Sequence, residues 1–362
     1  MIFHIGQLGD AIVALPAIWA IRNKFPDSYL AILSDRHNKA EFVSALDIFP
    51  IQGLIDEFVF FEVGKRGGAI WKSLGLFNSI KGRFDALVYL IGMRSKWQVC
   101  RDLFFFRMSG IKRFIGHYGV PSYKQIYAKK PFLVFEHISD NLLRRLATSG
   151  IPVPASGCGC MELLLTEEEI KVGKAWLQEH TNYPNCGRLV GLGIGGKCPT
   201  KIWPNDRYGL LGPRIIKELD GFPIIFGGPE DRNLGDRLIN EWGTGANAAG
   251  HLNVRQAAAA LSFCQLYVGN DTGTTHLAAA VGTPCVGIFS ARGIPGRWYP
   301  YGNQHIVLRR PIACEGCMTF DCPKNSKACL EMISVQDVME ACQNYFSTNK
   351  KFSPADRSMA HH

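Results

Sequence analysis

Leu266 to Phe289 reads LYVGNDTGTTHLAAAVGTPCVGIF, and the rest of the chain can be placed around it. Leu266-Tyr267-Val268-Gly269 is a short apolar run ending in glycine, Asn270-Asp271-Thr272-Gly273 is a polar turn, Thr274 to Val281 is an Ala-rich helical segment, and Cys285 to Phe289 is a second apolar run. Strand, glycine turn, helix and strand in so few residues is the βαβ unit of a parallel sheet, with the turn at the carboxyl edge of the strands against a helix N-terminus. Free backbone N–H groups and the positive dipole end suit a phosphate there. Asp271 and His276 add an acceptor and a titratable donor close by. Taken alone, Asp271 or Thr272 reads as an ordinary N-cap, which Ser, Thr, Asp and Asn supply in any helix. The other motifs of the chain argue for a ligand.

At 362 residues the chain exceeds a usual single core, which predicts two domains. No stretch is apolar enough for a transmembrane helix, and Ala11 to Ile21 is too short, contains Pro16 and lacks a basic leader. A cytoplasmic protein is expected, which accommodates twelve cysteines as free thiols. Four of them cluster as Cys314-x2-Cys317-x4-Cys322-x6-Cys329; a chemically idle loop is favoured over a structural zinc or iron site, because the later spacings are not those of a common finger. Net charge is +9 and is uneven: residues 1–150 carry 20 Lys and Arg against 12 Asp and Glu, residues 151–362 carry 20 against 19. From Arg94 to Lys130 nine basic residues, including Lys124, Lys129 and Lys130, face Asp102 alone. The first half is therefore expected to meet an anionic partner or a membrane surface.

In chain order, Ile2 to Ile5 is a minimal strand leading through Gly6-Gln7-Leu8-Gly9-Asp10 into a helix over Ala11 to Phe25. Met1 lies so close to this strand that the sequence reads as short by a few residues there. Asp10 is either an N-cap or a general base at the mouth of the sheet. Tyr29 to Leu33, Ile55 to Phe60 and Ala86 to Ile91 alternate with helical or irregular stretches around Lys39 to Ala45 and Ile70 to Ile80, the pattern of a doubly wound α/β sheet. Arg94 to Met108 reads as an amphipathic helix whose Phe104, Phe105 and Phe106 suit a core or, beside basic residues, a membrane surface. Ile111 to Gly116 is a strand, and His117 to Phe135 is irregular and basic.

Ile151 to Gly159, IPVPASGCG, marks the boundary, which divides the chain into domains 1–155 and 156–348, the final helix being free to pack back on the first domain. Thr166 caps a helix over Glu167 to Glu179, with Glu169 completing a capping box. Leu189 to Gly193 runs into Gly195-Gly196-Lys197 and Lys201-Ile202-Trp203-Pro204, a plausible anion cradle. Pro223 to Phe226 ends in Gly227-Gly228-Pro229-Glu230, where Glu230 can cap a helix or hold a ribose diol. An Ala-rich helix over Asn253 to Ser262 and a closing helix over Ser334 to Phe346 complete the plan. Residues 349–362 read as a disordered tail ending in a tag-like Met-Ala-His-His.

With Gly9-Asp10 and Leu15-Pro16, Lys201-x-Trp203-Pro204, Gly227-Gly228-Pro229-Glu230, Asp271-Thr272-Gly273-x-x-His276 and the late Cys cluster in this order, the chain resembles the bacterial ADP-heptose:lipopolysaccharide heptosyltransferases, glycosyltransferase family 9, over nearly its full length. The resemblance implies a GT-B architecture of two Rossmann-like doubly wound domains facing across a cleft, with a nucleotide sugar such as ADP-heptose on the second and an acceptor on the first. It implies inverting transfer with no cofactor and no catalytic metal. It assigns Asp10 as base, Lys201 to the diphosphate, Glu230 to the ribose, and Asp271, Thr272, Gly273 and His276 to phosphates and sugar. The expected acceptor is an anionic glycan or glycolipid such as the lipopolysaccharide inner core, with peripheral contact at the inner membrane surface and no nucleic acid. His4-Ile5-Gly6-Gln7-Leu8 and the Arg292 to Tyr299 loop depart from the family pattern, which leaves sugar and acceptor open, a protein or small-molecule acceptor included. Two other classes share parts of this plan: a GT-B nucleotide-sugar 2-epimerase, which needs no acceptor, and a nucleotide-sugar-binding protein without catalysis, against which Asp10, Lys201 and His276 together argue.

Overall fold

The computed structural model describes residues 1–36, 43–50, 53–62, 74–92, 94–120, 125–127, 134–322 and 326–348. Lys124, Lys129, Lys130 and the tail from 349 onward lie outside them. The chain forms two compact units, Met1–Leu164 and Leu165–His362. Residues after 155 remain with the first unit for a local reason: Gly157 N donates to Asp140 Oδ1 at 3.2 Å, and the Glu162 carbonyl accepts from Trp19 Nε1 at 2.9 Å.

The first unit runs β1 (Ile2–Phe3), α1 (Leu8–Lys24), β2 (Ala31–Arg36), β3 (Glu57–Glu62), α2 (Leu74–Ile80), β4 (Ala86–Tyr89), α3 (Lys96–Met108), β5 (Arg113–Ile115), β6 (Gln125–Tyr127), β7 (Val134–Phe135) and α4 (Ile138–Ala147). Its sheet has the order β3-β2-β1-β4-β5 and every pairing is parallel. Strand order reverses between β1 and β4, so the Gly6 to Asp10 turn sits at the switch point where such sheets bind ligands. The α1 helix continues through Pro16 although proline removes one intrahelical bond. The neighbouring α4 supports that turn, its Ser139 hydroxyl donating to the Val13 carbonyl at 2.7 Å. The segment 117–135, expected to be irregular, contains an antiparallel ribbon of β6 and β7. The three phenylalanines of α3 divide: Phe105 and Phe106 are buried, and Phe106 meets Phe3 edge-on at 5.1 Å. Burial of that ring is worth roughly 1.5–3 kcal/mol. Phe104 is exposed.

The second unit runs α5 (Glu167–Thr181), β8 (Arg188–Gly193), α6 (Asn205–Leu219), β9 (Gly221–Ile225), α7 (Arg232–Trp242), β10 (Ala246–Asn247), α8 (Val254–Ser262), β11 (Leu266–Asn270), α9 (Gly273–Ala280), β12 (Cys285–Phe289), β13 (Ile306–Arg309), α10 (Ala328–Glu331) and α11 (Val335–Thr348). Its sheet, β10-β9-β8-β11-β12-β13, is parallel at each pairing and has the Rossmann strand order. The α5 capping box forms as its sequence predicts: Glu169 N donates to Thr166 Oγ1 at 3.2 Å and Thr166 N to Glu169 Oε2 at 2.8 Å. The closing helix α11 belongs to this unit's own core: Val338, Met339 and Cys342 are buried with Trp203, Tyr208 and Leu211. Its apolar face is already satisfied here, while its polar side bonds α6, Arg214 Nη1 donating to Gln336 Oε1 at 2.9 Å. Among the described residues no helix is long and apolar enough to cross a membrane.

Candidate functional site

In the second unit the switch point lies between β8 and β11, and a fully buried asparagine builds it. Asn270 Oδ1 accepts from Trp203 N at 3.0 Å and from the Tyr208 hydroxyl at 3.1 Å, while Nδ2 points at the carbonyls of Gly193, Ile194 and Gly195 at 3.3, 3.1 and 3.1 Å. One side chain therefore joins the end of β11 to the loop after β8 and to the Lys201 to Trp203 segment. Sequence reading took Asn270 as a turn residue. Its place as the last residue of an otherwise apolar strand was the available signal, because a polar side chain there must find partners.

Lys201 and Asp271 come together on this frame, Nζ to Oδ2 at 2.8 Å, with both side chains mostly shielded from solvent. Burial pushes the Asp271 carboxyl up from its usual range, and the ammonium beside it opposes that rise. Asp271 is thus engaged by Lys201. The N-cap of α9 is Thr272, whose side chain makes no capping bond to the helix; its hydroxyl lies 3.1 Å from Thr274 Oγ1. The amide end of α9 at Gly273 is left for another acceptor. The two loops meet at Gly196, in the left-handed region at φ +158°, where a Cβ would stand 2.8 Å from Thr272 Cγ2. His276 lies one turn into α9, buried, with its ring centroid 5.9 Å from that of Trp298.

Glu230 is exposed on the short turn before α7. Its neighbour Asp231, which sequence reading passed over, reaches the loop after β8: a Cβ on Gly195 would fall 1.8 Å from Asp231 Oδ1, and one on Gly227 2.3 Å from Oδ2. Burial, reinforced by the Glu230 charge, pushes the Asp231 carboxyl up to about 6. After β12, the loop beginning at Arg292 and ending near Tyr299 walls a small open depression lined also by Asp271 and Ser290. This is the same loop that departs from the family pattern.

The four clustered cysteines are free thiols lining one open pocket with Thr200 and Arg292. Among the described residues no group of three or more His, Cys, Asp or Glu is placed to hold a metal ion. The Cys loop instead braces the Lys201 turn: Thr200 Oγ1 donates to the Thr319 carbonyl at 2.9 Å and Arg292 Nε to the same oxygen at 2.6 Å.

Asp10 stands in the first unit, at the switch point of its own sheet. Its Oδ2 accepts the Gln7 N–H at 3.0 Å; the N-cap of α1 is Gln7, so Asp10 is not the N-cap but the third helical residue, closing a capping box. Gly6, at φ +144°, passes so close that a Cβ would lie 2.3 Å from Asp10 Cβ, and Gly6 N donates to the buried Asp35 Oδ1 at 3.1 Å. His4 is buried against the same turn, Nε2 3.1 Å from the Asp10 carbonyl, and burial pushes its imidazole below its usual value. The predicted residues thus form two groups: Lys201, Asp271, Thr272, Gly273 and, one turn on, His276 in the second unit, with Glu230 on the adjacent turn; and Asp10 in the first. His4 and Asp35 were missed, since neither belongs to a recognisable spacing.

Residues 166–328 match the sequence profile described as glycosyltransferase family 9 (heptosyltransferase). Lipopolysaccharide heptosyltransferase 2 of Salmonella typhimurium is 30% identical over 166 residues, covering 44% of this chain and 47% of that protein, so the matched stretch spans about half the length of that relative. Lipooligosaccharide heptosyltransferase 2 of Campylobacter jejuni is 26% identical over 347 residues, or 93% of this chain and 95% of that one. Among solved structures, the E. coli ADP-heptose lps heptosyltransferase II superposes with a TM-score of 0.65 at 20% identity, covering 96% of this chain and 99% of that chain, which establishes a shared fold.

Proposed function

We propose that this chain, whose residues 166–328 match the profile described as glycosyltransferase family 9 (heptosyltransferase), is an inverting, metal-independent glycosyltransferase. Its donor is a nucleoside diphosphate sugar, ADP-heptose as in the name of the E. coli neighbour, and its acceptor a hydroxyl of an anionic glycan such as the lipopolysaccharide in the name of the Salmonella relative. We place its work in the cytoplasm, in keeping with the free thiols and with the lack of a membrane-spanning helix among the described residues. The observation that carries the reading is the Lys201–Asp271 pair, 2.8 Å apart at the uncapped end of α9 and at the sheet's switch point. A diphosphate is the ligand that fits a lysine, a glycine loop and a free helix N-terminus together.

In the proposed step the acceptor oxygen attacks the anomeric carbon, the bond from that carbon to the diphosphate oxygen breaks, and its electron pair leaves with the nucleotide. The growing charge on the diphosphate is met by Lys201 and by the α9 amides, already in place before reaction. Asp10 takes the acceptor proton, as a carboxylate within hydrogen-bond reach can. Inversion follows from a single displacement, by analogy with inverting glycosidases, in which base and leaving group occupy opposite faces of the sugar. Glu230 holds the ribose diol, while Asp271, released from Lys201 by the incoming phosphate, and His276 face the sugar.

The test is transfer from ADP-heptose to purified inner-core lipopolysaccharide, with the anomeric configuration of the product read by NMR and a parallel reaction containing chelator. An inverted product at a chelator-independent rate, together with loss of transfer in Asp10→Asn, is the expected result. Retention of configuration would overturn the mechanism. Turnover of the nucleotide sugar without acceptor would move the chain to the epimerase class.

A further inference from the structure

The outward face of α3 carries an apolar stripe in a basic setting that glycosyl transfer does not use. Trp97, Phe104 and Met108 are 68%, 68% and 59% exposed, and with Arg101 they repeat at helical spacing along one side. Three turns of helix present them over roughly 16 Å. Val99, Phe105 and Phe106, on the opposite side, are buried in the core, so the helix is apolar on two faces where a surface helix needs one. Cations frame the stripe. Arg101 lies over the Trp97 ring at 5.4 Å, Lys96 begins the helix, and Arg107 bonds the Lys112 carbonyl at 3.0 Å beside exposed Lys112 and Arg113. Asp102, the only acid from 94 to 120, is buried and already taken by Arg101 at 2.7 Å and the Tyr89 hydroxyl at 2.9 Å. No exposed carboxylate within that stretch offsets the positive charge.

We propose that α3 docks this protein on the surface of an anionic bilayer, with Trp97, Phe104 and Met108 entering the headgroup and upper acyl region and Lys96, Arg107, Lys112 and Arg113 pairing with lipid phosphates. An acidic glycan alone would account for the cations and leave the indole, phenyl and thioether without a partner; a bilayer interface accommodates both. A second copy of the chain seated on the same face would set like charges opposite one another in a two-fold contact. The docking is measured without donor or acceptor, so it stands or falls separately from the transfer reaction.

The full chain is sedimented with vesicles of phosphatidylglycerol and phosphatidylethanolamine, and in parallel with pure phosphatidylcholine vesicles. Binding to the anionic vesicles that weakens as salt is raised, and several-fold weaker binding to the neutral ones, are expected. Replacing the stripe in W97S/F104S/M108S lowers anionic-vesicle binding by about tenfold or more. The pair R107Q/K112Q weakens it and flattens the salt dependence, and it carries the test alone should the triple variant lose its melting transition. Absence of wild-type binding, equal binding to neutral vesicles, or parental binding by either variant overturns the proposal. So does a concentration-dependent dimer that W97S/F104S/M108S abolishes while vesicle binding is unchanged.

Discussion

Asn270→Ala is the most direct test of how the donor site is built. The wild-type side chain is fully buried. Removing it leaves the buried Trp203 N–H without its acceptor at 3.0 Å, and deprives the Ile194 and Gly195 carbonyls of a donor at 3.1 Å. Tyr208 is spared, because its hydroxyl also donates to the Gly193 carbonyl at 3.0 Å. An orphaned buried N–H costs about 1–3 kcal/mol and the two under-satisfied carbonyls less, so a loss of roughly 2–5 kcal/mol is expected. For a unit of this size that lowers the melting temperature by roughly 5–15 °C in scanning calorimetry. Asn270→Asp sharpens the test: it keeps an acceptor for Trp203 but turns a second oxygen toward three carbonyls in a dry site, and should be at least as harmful as alanine. ADP affinity should also fall well below the melting temperature in both variants, since Trp203 fixes the chain two residues after Lys201. A shift under about 2 °C for alanine, or an aspartate variant as stable as the parent, would refute the reasoning.

Lys201→Ala should weaken ADP binding by about 10- to 100-fold in titration calorimetry, the loss of one charge-assisted contact. It also strips Asp271 of its partner, so residual affinity in the variant should improve as pH falls and Asp271 protonates; unchanged affinity would reject the diphosphate contact. Asp231 gives a stability prediction with a defined sign. Its native carboxyl titrates near 6, above the ordinary carboxyl value, so the native state holds a proton that the unfolded chain has released, and stability falls as pH rises from about 4 to about 6. Asp231→Asn removes that loss, and its melting temperature should gain on the parent more at pH 7.5 than at pH 4.5; a pH-independent difference would show that Asp231 is not the group responsible. Gly6→Ala tests the placement of Asp10 without touching it. The new Cβ would stand 2.3 Å from Asp10 Cβ, so transfer should fall toward the level of Asp10→Asn, about 10²- to 10⁴-fold below wild type, while ADP affinity holds; transfer at the parental rate would remove Asp10 from the reaction.

Those residues also show where sequence stops being readable. The strands around Leu266 to Phe289 and Arg188 to Gly193 are legible because a strand buried on both faces is a continuous apolar run, and glycine after it marks the turn. Lys201 and Asp271 are legible as candidates because each follows the carboxyl end of a strand in a glycine-containing loop, and the fold pairs them at 2.8 Å. Asn270 and Asp231 are not, because their work is defined by carbonyls and amides that backbone folding brings to them, and nothing in N-D-T-G or G-P-E-D says which polar residue turns inward. The same limit governs α3. Three consecutive phenylalanines at 100° per residue cover most of a helix circumference, so periodicity alone assigns all or none to the core. Only the elements beneath decide: Phe105 meets Phe77 of α2 and Phe106 meets Phe3 of β1, while Phe104 turns outward with Trp97. One outward phenylalanine is ordinary; it is the contiguous exposed patch of Trp97, Phe104 and Met108, rimmed by cations, that argues for the proposed partner.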